Sequence, residues 1–474
     1  MSKEYSFLLD LAKKGKRVVS DSRKVEPGDI FVALPGTTVD GNEFIQDALS
    51  KGAQYVLSAN QEIVSKLGEK GIFHPNPTQA LGELANSYYF PQGRKIKLIG
   101  ITGTNGKTTT SYLIAHVLEK IGFKAGIVGT INIRIGNTSF PASLTTPDCL
   151  SLYSYLSDME KKGMDYACIE VSSHALDQDR VAGLEFEAGI FTNLTQDHLD
   201  YHKSMEEYFL AKKKMFTLYS NRAIVNGDSE WGKKIIDDLK NKDSITYGFK
   251  NYNDIKVLDY IANLKGIEGT VKLKDRIEKV FLPLLGKYNL YNLLACMGLI
   301  VCLQLSVDWS EVLKSFPGVP GRVEKIVNKK NLNIVVDYAH TPDALENVCK
   351  TLRELTDKKL VVVFGCGGNR DKSKRPLMAK AVSKFADMAI VTSDNPRFEE
   401  PEKIIEDILP GFSENYSYEV EIDRKKAIKR AIELLTPEDL LLIAGKGHED
   451  YQEIKGIRYP FADKKVVQEI LNEA

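Results

Sequence analysis

Short runs of Val, Ile, Leu and Ala recur along the chain, separated by stretches in which apolar residues return every three or four positions. The runs predict strands at Val18–Val19, Ile30–Ala33, Leu98–Thr102, Ala167–Val171, Ala188–Thr192, Arg222–Val225, Ile334–Asp337, Leu360–Phe364, Met388–Thr392 and Leu440–Ala444. Several are apolar at nearly every position rather than at alternate ones, which is the pattern of strands covered on both faces. Strands of this kind alternating with helical segments predict an α/β architecture with mostly parallel sheets.

Two breaks interrupt the alternation. Tyr89-Phe-Pro-Gln-Gly-Arg94 precedes the strand at Leu98, and Phe316-Pro-Gly-Val-Pro-Gly321 sets two prolines and two glycines in six residues. They divide the 474 residues into expected domains 1–93, 94–318 and 319–474, in line with roughly 100–200 residues per domain. Lys and Arg number 64, as do Asp and Glu, so the formal net charge is zero. That balance argues against a polybasic nucleic-acid binder. The first ten residues have no signal-peptide core, and no apolar stretch approaches the ~18 residues of a membrane span. The six cysteines are scattered without a C-x-x-C pair, and we expect reduced, mostly buried thiols of a cytoplasmic protein.

The strand ending at Thr102 runs into Gly103-Thr104-Asn105-Gly106-Lys107-Thr108-Thr109 and then a helical pattern. A glycine loop between strand and helix lets backbone N–H groups approach phosphate oxygens, and the helix N-terminus favours negative charge. Lys107 is expected to neutralise β/γ-phosphates and the Thr108 hydroxyl to hold Mg²⁺. The strict nucleotide-loop pattern has Gly where this chain has Ile101. Glu170, at the end of the next strong strand, is a candidate Mg²⁺ carboxylate. Asp197-His198-Leu-Asp-Tyr-His202 is dense in ligand-type side chains. It lacks the third ligand and the H-E-x-x-H context of a zinc site. His198 is therefore read as a magnesium-site candidate and His202 as a structural histidine. Ser204-Met-Glu-Glu207 reads as a capping box opening a helix that carries Lys212, Lys213 and Lys214. The last two are expected on a solvated face.

These segments, with Tyr208-x-x-Ala-Lys212, Tyr288-Asn-x-x-Asn292, Gly321-Arg322, Asp337-Tyr-Ala-His340-Thr-Pro342 and Ala444-Gly-Lys-Gly-His-Glu449, occur in the order found in the Mur ligases of peptidoglycan synthesis. The chain resembles that family over essentially its whole length, and within it the members that add the third amino acid. The resemblance implies three domains: an N-terminal one for the UDP-sugar, a central P-loop ATPase-type domain with a mostly parallel sheet, and a C-terminal Rossmann-like domain for the incoming amino acid. It implies an ATP- and Mg²⁺-dependent ligase of cell-wall biogenesis, and hence of cell shape and division, acting through an acyl phosphate. We expect a monomer.

The resemblance also implies residue roles. Lys212 is the position the family carbamylates (N6-carboxylysine), with Glu170, His198 and Thr108 as its metal partners. Asn292 would contact adenine, Arg322 a phosphate and Asp337 the ribose. Thr145, Thr146, Ser172, Gln178 and Arg180 would grip the muramoyl-dipeptide, and Ser22 with Thr37, Thr38 and Val39 the uridine diphosphate. Read from residues alone, Asp21-Ser22-Arg23 is an Asp-capped turn.

Asp394-Asn395-Pro396-Arg397 is, in the family, the mark of meso-2,6-diaminopimelate addition. That amino acid carries a carboxylate that L-lysine lacks, suited to Arg370 and Arg397, each contact being worth roughly 1.5–3 kcal/mol. Glu449 and the Gly445 carbonyl would take the distal ammonium. Asn369 replaces the commoner aspartate of this motif, which puts Arg370's orientation in question. The alternatives are the same reaction with L-lysine, or a folylpolyglutamate synthetase-like ligase. The latter usually has Gly-Ser where this chain has Thr108-Thr109.

Overall fold

The structure is a computed structural model that describes residues 2–36, 39–239 and 243–473. Thr37 and Thr38 lie outside the described residues. The chain packs as two compact units: Met1–Lys256 with Tyr291–Val307, and Val257–Leu290 with Asp308–Ala474.

The first unit holds two sheets. β1 (Val18–Val19), β2 (Ile30–Val32), β3 (Tyr55–Ser58) and β4 (Gly71–Phe73) pair in parallel in that order. A larger sheet contains β5 (Lys97–Thr102), β6 (Ala125–Val128), β7 (Asn132–Ile135), β8 (Thr138–Pro141), β9 (Tyr166–Glu170), β10 (Ala188–Phe191), β11 (Ala223–Asn226) and β12 (Ser244–Gly248). Its order is β12-β11-β10-β5-β9-β6-β7-β8, and only the β6-β7-β8 meander is antiparallel. β5 is central, with β9 on one side and β10 on the other. The carboxyl ends of these three strands therefore open together, where ligands bind in open α/β sheets.

Burial continues across the break at 89–94. The helix Pro77–Tyr89 packs on both the helix Lys3–Lys13 and the helix Cys149–Lys161, and the Tyr89 and Tyr153 rings stack at 6.4 Å. Gly82 of the same helix lies against the 182–183 turn, where a Cβ would collide with the Ala182 backbone.

In the second unit, β14 (Gly266–Leu273) and β15 (Arg276–Leu282) follow β13 (Ile255–Asn263) as an antiparallel pair. A six-stranded sheet contains β16 (Glu324–Lys325), β17 (Asn333–Asp337), β18 (Leu360–Phe364), β19 (Met388–Val391), β20 (Tyr418–Val420) and β21 (Leu440–Ala444), ordered β16-β17-β21-β18-β19-β20. All but β16 are parallel. Val335, Val362 and Leu442 belong to one core, and Ile334, Val361, Val363 and Ile443 to another on the opposite face. Two buried faces explain the unbroken apolar runs. β22 (Tyr451–Ile454) and β23 (Ile457–Pro460) form a separate hairpin.

Every strand expected from the sequence is present, with its ends within one residue. Those without a signal are the short β3, β4, β6 and β20, the partly polar β12, and the antiparallel strands with polar faces, such as β8, which is exposed at all four positions. No disulfide links the cysteines; five of the six are buried. Among the described residues, no helix is long and apolar enough to cross a membrane.

Candidate active site

The glycine loop leaves β5 at Thr102 and enters the helix Lys107–Lys120. Gly103 (φ +148°) and Gly106 (φ +89°) lie in the left-handed region, and a Cβ on either would run into Thr192 Oγ1 or Asn292 Oδ1. Only glycine meets both demands. The loop is stapled to the end of β10. Asn105 N donates to Asn193 Oδ1 (2.9 Å), Asn193 Nδ2 to the Asn105 carbonyl (3.1 Å), and Thr192 Oγ1 to that same carbonyl (2.7 Å). Lys107 Nζ folds back onto the carbonyls of Gly103 (2.8 Å) and Thr104 (2.9 Å). Thr108 and Thr109 are buried in the first helical turn. Ile101, the departure from the strict loop pattern, is a fully buried core residue of β5. Asn292 is also buried, and its Oδ1 accepts from Thr110 Oγ1 at 3.4 Å.

Glu170, 1% exposed, closes the floor beside this loop. Its Oε2 accepts from Thr108 Oγ1 and Thr130 Oγ1, both at 3.0 Å, and its Oε1 from Thr130 N at 3.0 Å. Thr146 Oγ1 donates to the Glu170 carbonyl (2.8 Å) and accepts from Ser172 N (3.0 Å), while Thr145 and Thr130 hydroxyls meet at 3.1 Å. Ser172 caps the helix Ser173–Asp177. Arg180 donates to the Thr146 carbonyl (2.9 Å) and grips Gln178 Oε1 through Nε and Nη2 (3.0 and 2.7 Å). The five residues expected to hold a muramoyl-peptide are thus gathered at the end of β9.

Ser204 caps the helix Met205–Lys214, accepting from Glu207 N at 3.1 Å. Lys212, 1% exposed, reaches from this helix to the Gly103 carbonyl at 2.9 Å, with Nζ 4.5 Å from the centre of the Tyr208 ring. Desolvation, helped by nearby Lys107, pushes its amine well below the ordinary lysine range. His198, about half exposed, lies 3.6 Å from Asp197, and its ring is 6.0 Å from that of Tyr208. His202 is buried, with Nε2 2.9 Å from Ser173 Oγ, the satisfied structural histidine expected.

Lys213 and Lys214 depart from the expected solvated face. Lys213 pairs with Asp238 (2.6 Å), while Lys214 donates to the Leu176 carbonyl (3.2 Å) and lies 3.5 Å from Asp179. Packing of this helix on the 173–177 helix brings Lys214 to its partners, and the helix Glu230–Asp238 supplies the partner of Lys213.

Could a divalent cation sit here? Glu170 is a buried carboxylate that accepts from two hydroxyls and one amide. Such a group is stable only if its charge is met by something else, and hydroxyl and carboxylate oxygens are the donors Mg²⁺ takes. Thr108 and Glu170 fit that ion.

The N-terminal candidates make their own local structure. Asp21 caps a short turn and pairs with Arg23, as the residues alone predict. Ser22 is buried there, with its carbonyl accepting from Lys51 at 3.1 Å. Val39 is exposed.

In the second unit, Asp337 ends β17. Its Oδ2 accepts from Val323 N and its Oδ1 from Ala339 N, both at 2.7 Å. Burial pushes this carboxyl up against the pull of Arg322 and those amides. Arg322 lies over the Tyr338 ring at 5.4 Å.

The loops after β18, β19 and β21 meet one another. Gly368 N donates to the Asn395 carbonyl at 2.9 Å, and a Cβ at Gly368 would strike Pro396. Arg397 (φ +52°) donates from Nη1 to the Gly368 carbonyl (2.8 Å), with Nε 3.6 Å from Glu453. Its backbone is bracketed by β22, since Arg397 N donates to the Glu453 carbonyl at 3.0 Å. Asn369 Oδ1 accepts from Phe398 N (3.0 Å), so this substituted position ties two loops together. Arg370 is exposed. Gly445 (φ +112°) faces Asp394, whose buried Oδ2 has no hydrogen-bond partner. Glu449 Oε2 accepts from Asn395 Nδ2 (2.9 Å) and Lys446 Nζ (3.2 Å).

The expected nucleotide residues divide between the units: the glycine loop and Asn292 in the first, Arg322 and Asp337 in the second. Sequence reasoning assigned nothing to Thr130, Thr192, Tyr208 or Lys446. Tyr208 and Lys446 sit inside motifs already singled out, whereas Thr130 carries no local signal.

Comparisons with known proteins show the family. Residues 16–89 match the Mur ligase family catalytic domain, 101–300 the Mur ligase middle domain, and 321–447 the Mur ligase glutamate ligase domain. The UDP-N-acetylmuramoyl-L-alanyl-D-glutamate–2,6-diaminopimelate ligase of Lawsonia intracellularis is 46% identical over 98% of this chain and 97% of its own length. The protein of that name from Aquifex aeolicus is 44% identical over 99% and 95%. A solved structure of a ligase with the same name superposes with a TM-score of 0.74 at 36% identity, covering 96% of this chain and 94% of that one. The chain belongs to the Mur ligase family.

Proposed function

We propose that this chain is an ATP-dependent ligase that adds meso-2,6-diaminopimelate to UDP-N-acetylmuramoyl-L-alanyl-D-glutamate in the cytoplasm. The observation that carries the choice of amino acid is the loop Asp394–Arg397. Asn395 and Arg397 are held there by β22 and the Gly367–Asp371 loop, in which Arg370 is exposed. A guanidinium pair suits a second carboxylate and has no counterpart in lysine, whose binding would leave these groups unpaired. Glu449 and the Gly445 carbonyl would take the distal ammonium.

We assign residues 1–93 to the UDP-sugar, through Ser22, Thr37, Thr38 and Val39, residues 94–318 to ATP and acyl transfer, and residues 319–474 to the incoming amino acid. The D-Glu carboxylate attacks the γ-phosphorus of ATP, whose bond to the β-phosphate oxygen breaks, and ADP leaves. The amine of the amino acid then attacks the acyl carbon of the acyl phosphate. Phosphate leaves with the C–O bonding pair, and the amine's proton goes to solvent. Two anions meet in the first step, so positioning and cationic screening supply most of the acceleration. The glycine loop presents its amides and Lys107 to the triphosphate, Asn292 contacts the base, and Arg322 and Asp337 serve phosphate and ribose. Thr145, Thr146, Ser172, Gln178 and Arg180 orient the peptide. Thr108, Glu170, His198 and Lys212 as its carbamate would hold Mg²⁺, which supplies charge neutralisation at the phosphates.

The test is product formation by the purified protein with ATP, Mg²⁺, the UDP-muramoyl-dipeptide and a panel of amino acids. Turnover with meso-diaminopimelate far above L-lysine is expected, and equal kcat/KM for the two overturns the assignment.

A further inference from the structure

Lys446 is a fully buried cation, 0% exposed, in the loop that follows β21. Its Nζ donates to Asn395 Oδ1 (3.1 Å) and Glu449 Oε2 (3.2 Å) and lies 5.5 Å from the centre of the Tyr451 ring. Asn395 Oδ1 also accepts from Glu453 N at 2.9 Å, while Asn395 Nδ2 donates to Glu449 Oε2 at 2.9 Å. The three side chains form a closed triangle of ammonium, amide and carboxylate.

This triangle decides which way the Asn395 amide faces. An amide rotated by half a turn places its NH₂ against the Lys446 ammonium and the Glu453 N–H, donor against donor. With Lys446 present, the amide oxygen is fixed inward and one N–H of Nδ2 is fixed on Glu449. The second N–H is left for a ligand. Lys446 likewise fixes Glu449 by one oxygen. Oε1 meets no donor among the described residues. A buried polar network with every member paired holds one geometry.

We infer that Lys446 is a positioning residue for the incoming amino acid: it presets the amide of Asn395 and the carboxylate of Glu449 without touching the substrate. The inference rests on the reading above that these two residues bind the amino acid. It also bears on selectivity. The two ion pairs in and beside the triangle (Lys446 with Glu449, Arg397 with Glu453) sum to zero charge. The distal end of diaminopimelate, one carboxylate and one ammonium, is also neutral. Removing Lys446 makes the set net negative, which favours the cationic end of lysine.

The test compares Lys446→Met, the double variant Lys446→Met/Glu449→Gln, and the single variants Asn395→Ala and Glu449→Gln. The double variant removes the carboxylate that Lys446→Met would leave partly buried without its cation, so it serves if the single change does not fold. Each folded variant is assayed for KM of all three substrates and for kcat. Lys446→Met is expected to raise KM for diaminopimelate about tenfold or more, with kcat changed less than about threefold and the KM for ATP and UDP-muramoyl-dipeptide unchanged. The diaminopimelate-to-lysine ratio of kcat/KM should fall. If only Lys446→Met folds poorly, the double variant is expected to raise KM for diaminopimelate above that of Glu449→Gln alone. An unchanged diaminopimelate KM in Lys446→Met, or a double variant equal to Glu449→Gln, overturns the inference. If Asn395→Ala and Glu449→Gln also leave that KM unchanged, the underlying site assignment fails instead.

Discussion

Two lysines share one acceptor: Lys212 and Lys107 both donate to the carbonyl of Gly103, at 2.9 and 2.8 Å. The Lys212 amine is buried and close to a second cation, and both facts favour its neutral form. A neutral amine is the species that reacts with CO₂, so this environment favours the carbamylation proposed for Lys212.

Lys212→Ala is expected to lower kcat at least about 100-fold while leaving the melting temperature within a few degrees. Bicarbonate added to CO₂-depleted enzyme should raise the activity of the unaltered protein and leave the variant unmoved. Full activity of depleted enzyme, with no carbamate seen by ¹³C NMR, would rule out the modification.

Arg397 is held by Gly368 and β22 in a left-handed backbone conformation, with its guanidinium only partly exposed. Arg397→Ala removes contacts worth about 1.5–3 kcal/mol, so kcat/KM for meso-diaminopimelate should fall about 10–150-fold. Lysine turnover should change less than about threefold. Steady-state kinetics with both amino acids checks this, and parallel losses for the two would count against a carboxylate-binding role.

Arg424 and Asp463 form an ion pair with both side chains 0% exposed, and Arg424 also donates to the Ala444 carbonyl at 2.9 Å, just before the Gly445–Glu449 loop. Arg424→Met leaves a buried uncompensated carboxylate and should cost about 3–5 kcal/mol in urea unfolding. Arg424→Met/Asp463→Leu should recover most of that loss. A double variant no better than the single one would show that packing, rather than charge, sets the cost.

His448 is largely buried beside Arg322, and desolvation first, then that charge, brings its imidazole down from 6.5 to about 4. Between these values the unfolded chain binds a proton that the folded chain does not. Stability is therefore unaffected above pH 6.5 and falls as the pH drops toward about 4. The loss is of order 2 kcal/mol, allowing for partial exposure. Urea titrations at pH 7 and pH 5 should show a smaller pH-dependent loss for His448→Gln than for the unaltered chain. Equal losses would place the pH dependence elsewhere.

The sequence by itself determined the features governed by neighbouring residues. Apolar runs located the central strands of the two larger parallel sheets, because both faces of those sheets are buried. Gly103 and Gly106 marked the loop, because the turn needs positive φ there. Ser204 and Glu207 marked a helix start, because a cap joins residues only three apart. The residues that answer Glu170 and Lys212 were beyond such reasoning. Thr130 lies 40 residues from Glu170, and Gly103 lies 109 from Lys212. The partners of Lys213 and Lys214, the bond between His202 and Ser173, and the hold of Lys446 on Asn395 all depend on which elements pack side by side. A lysine in sequence is a charge on a flexible stem. Only the tertiary structure decides whether that charge stays in water or is buried, with its protonation and partners set by what surrounds it.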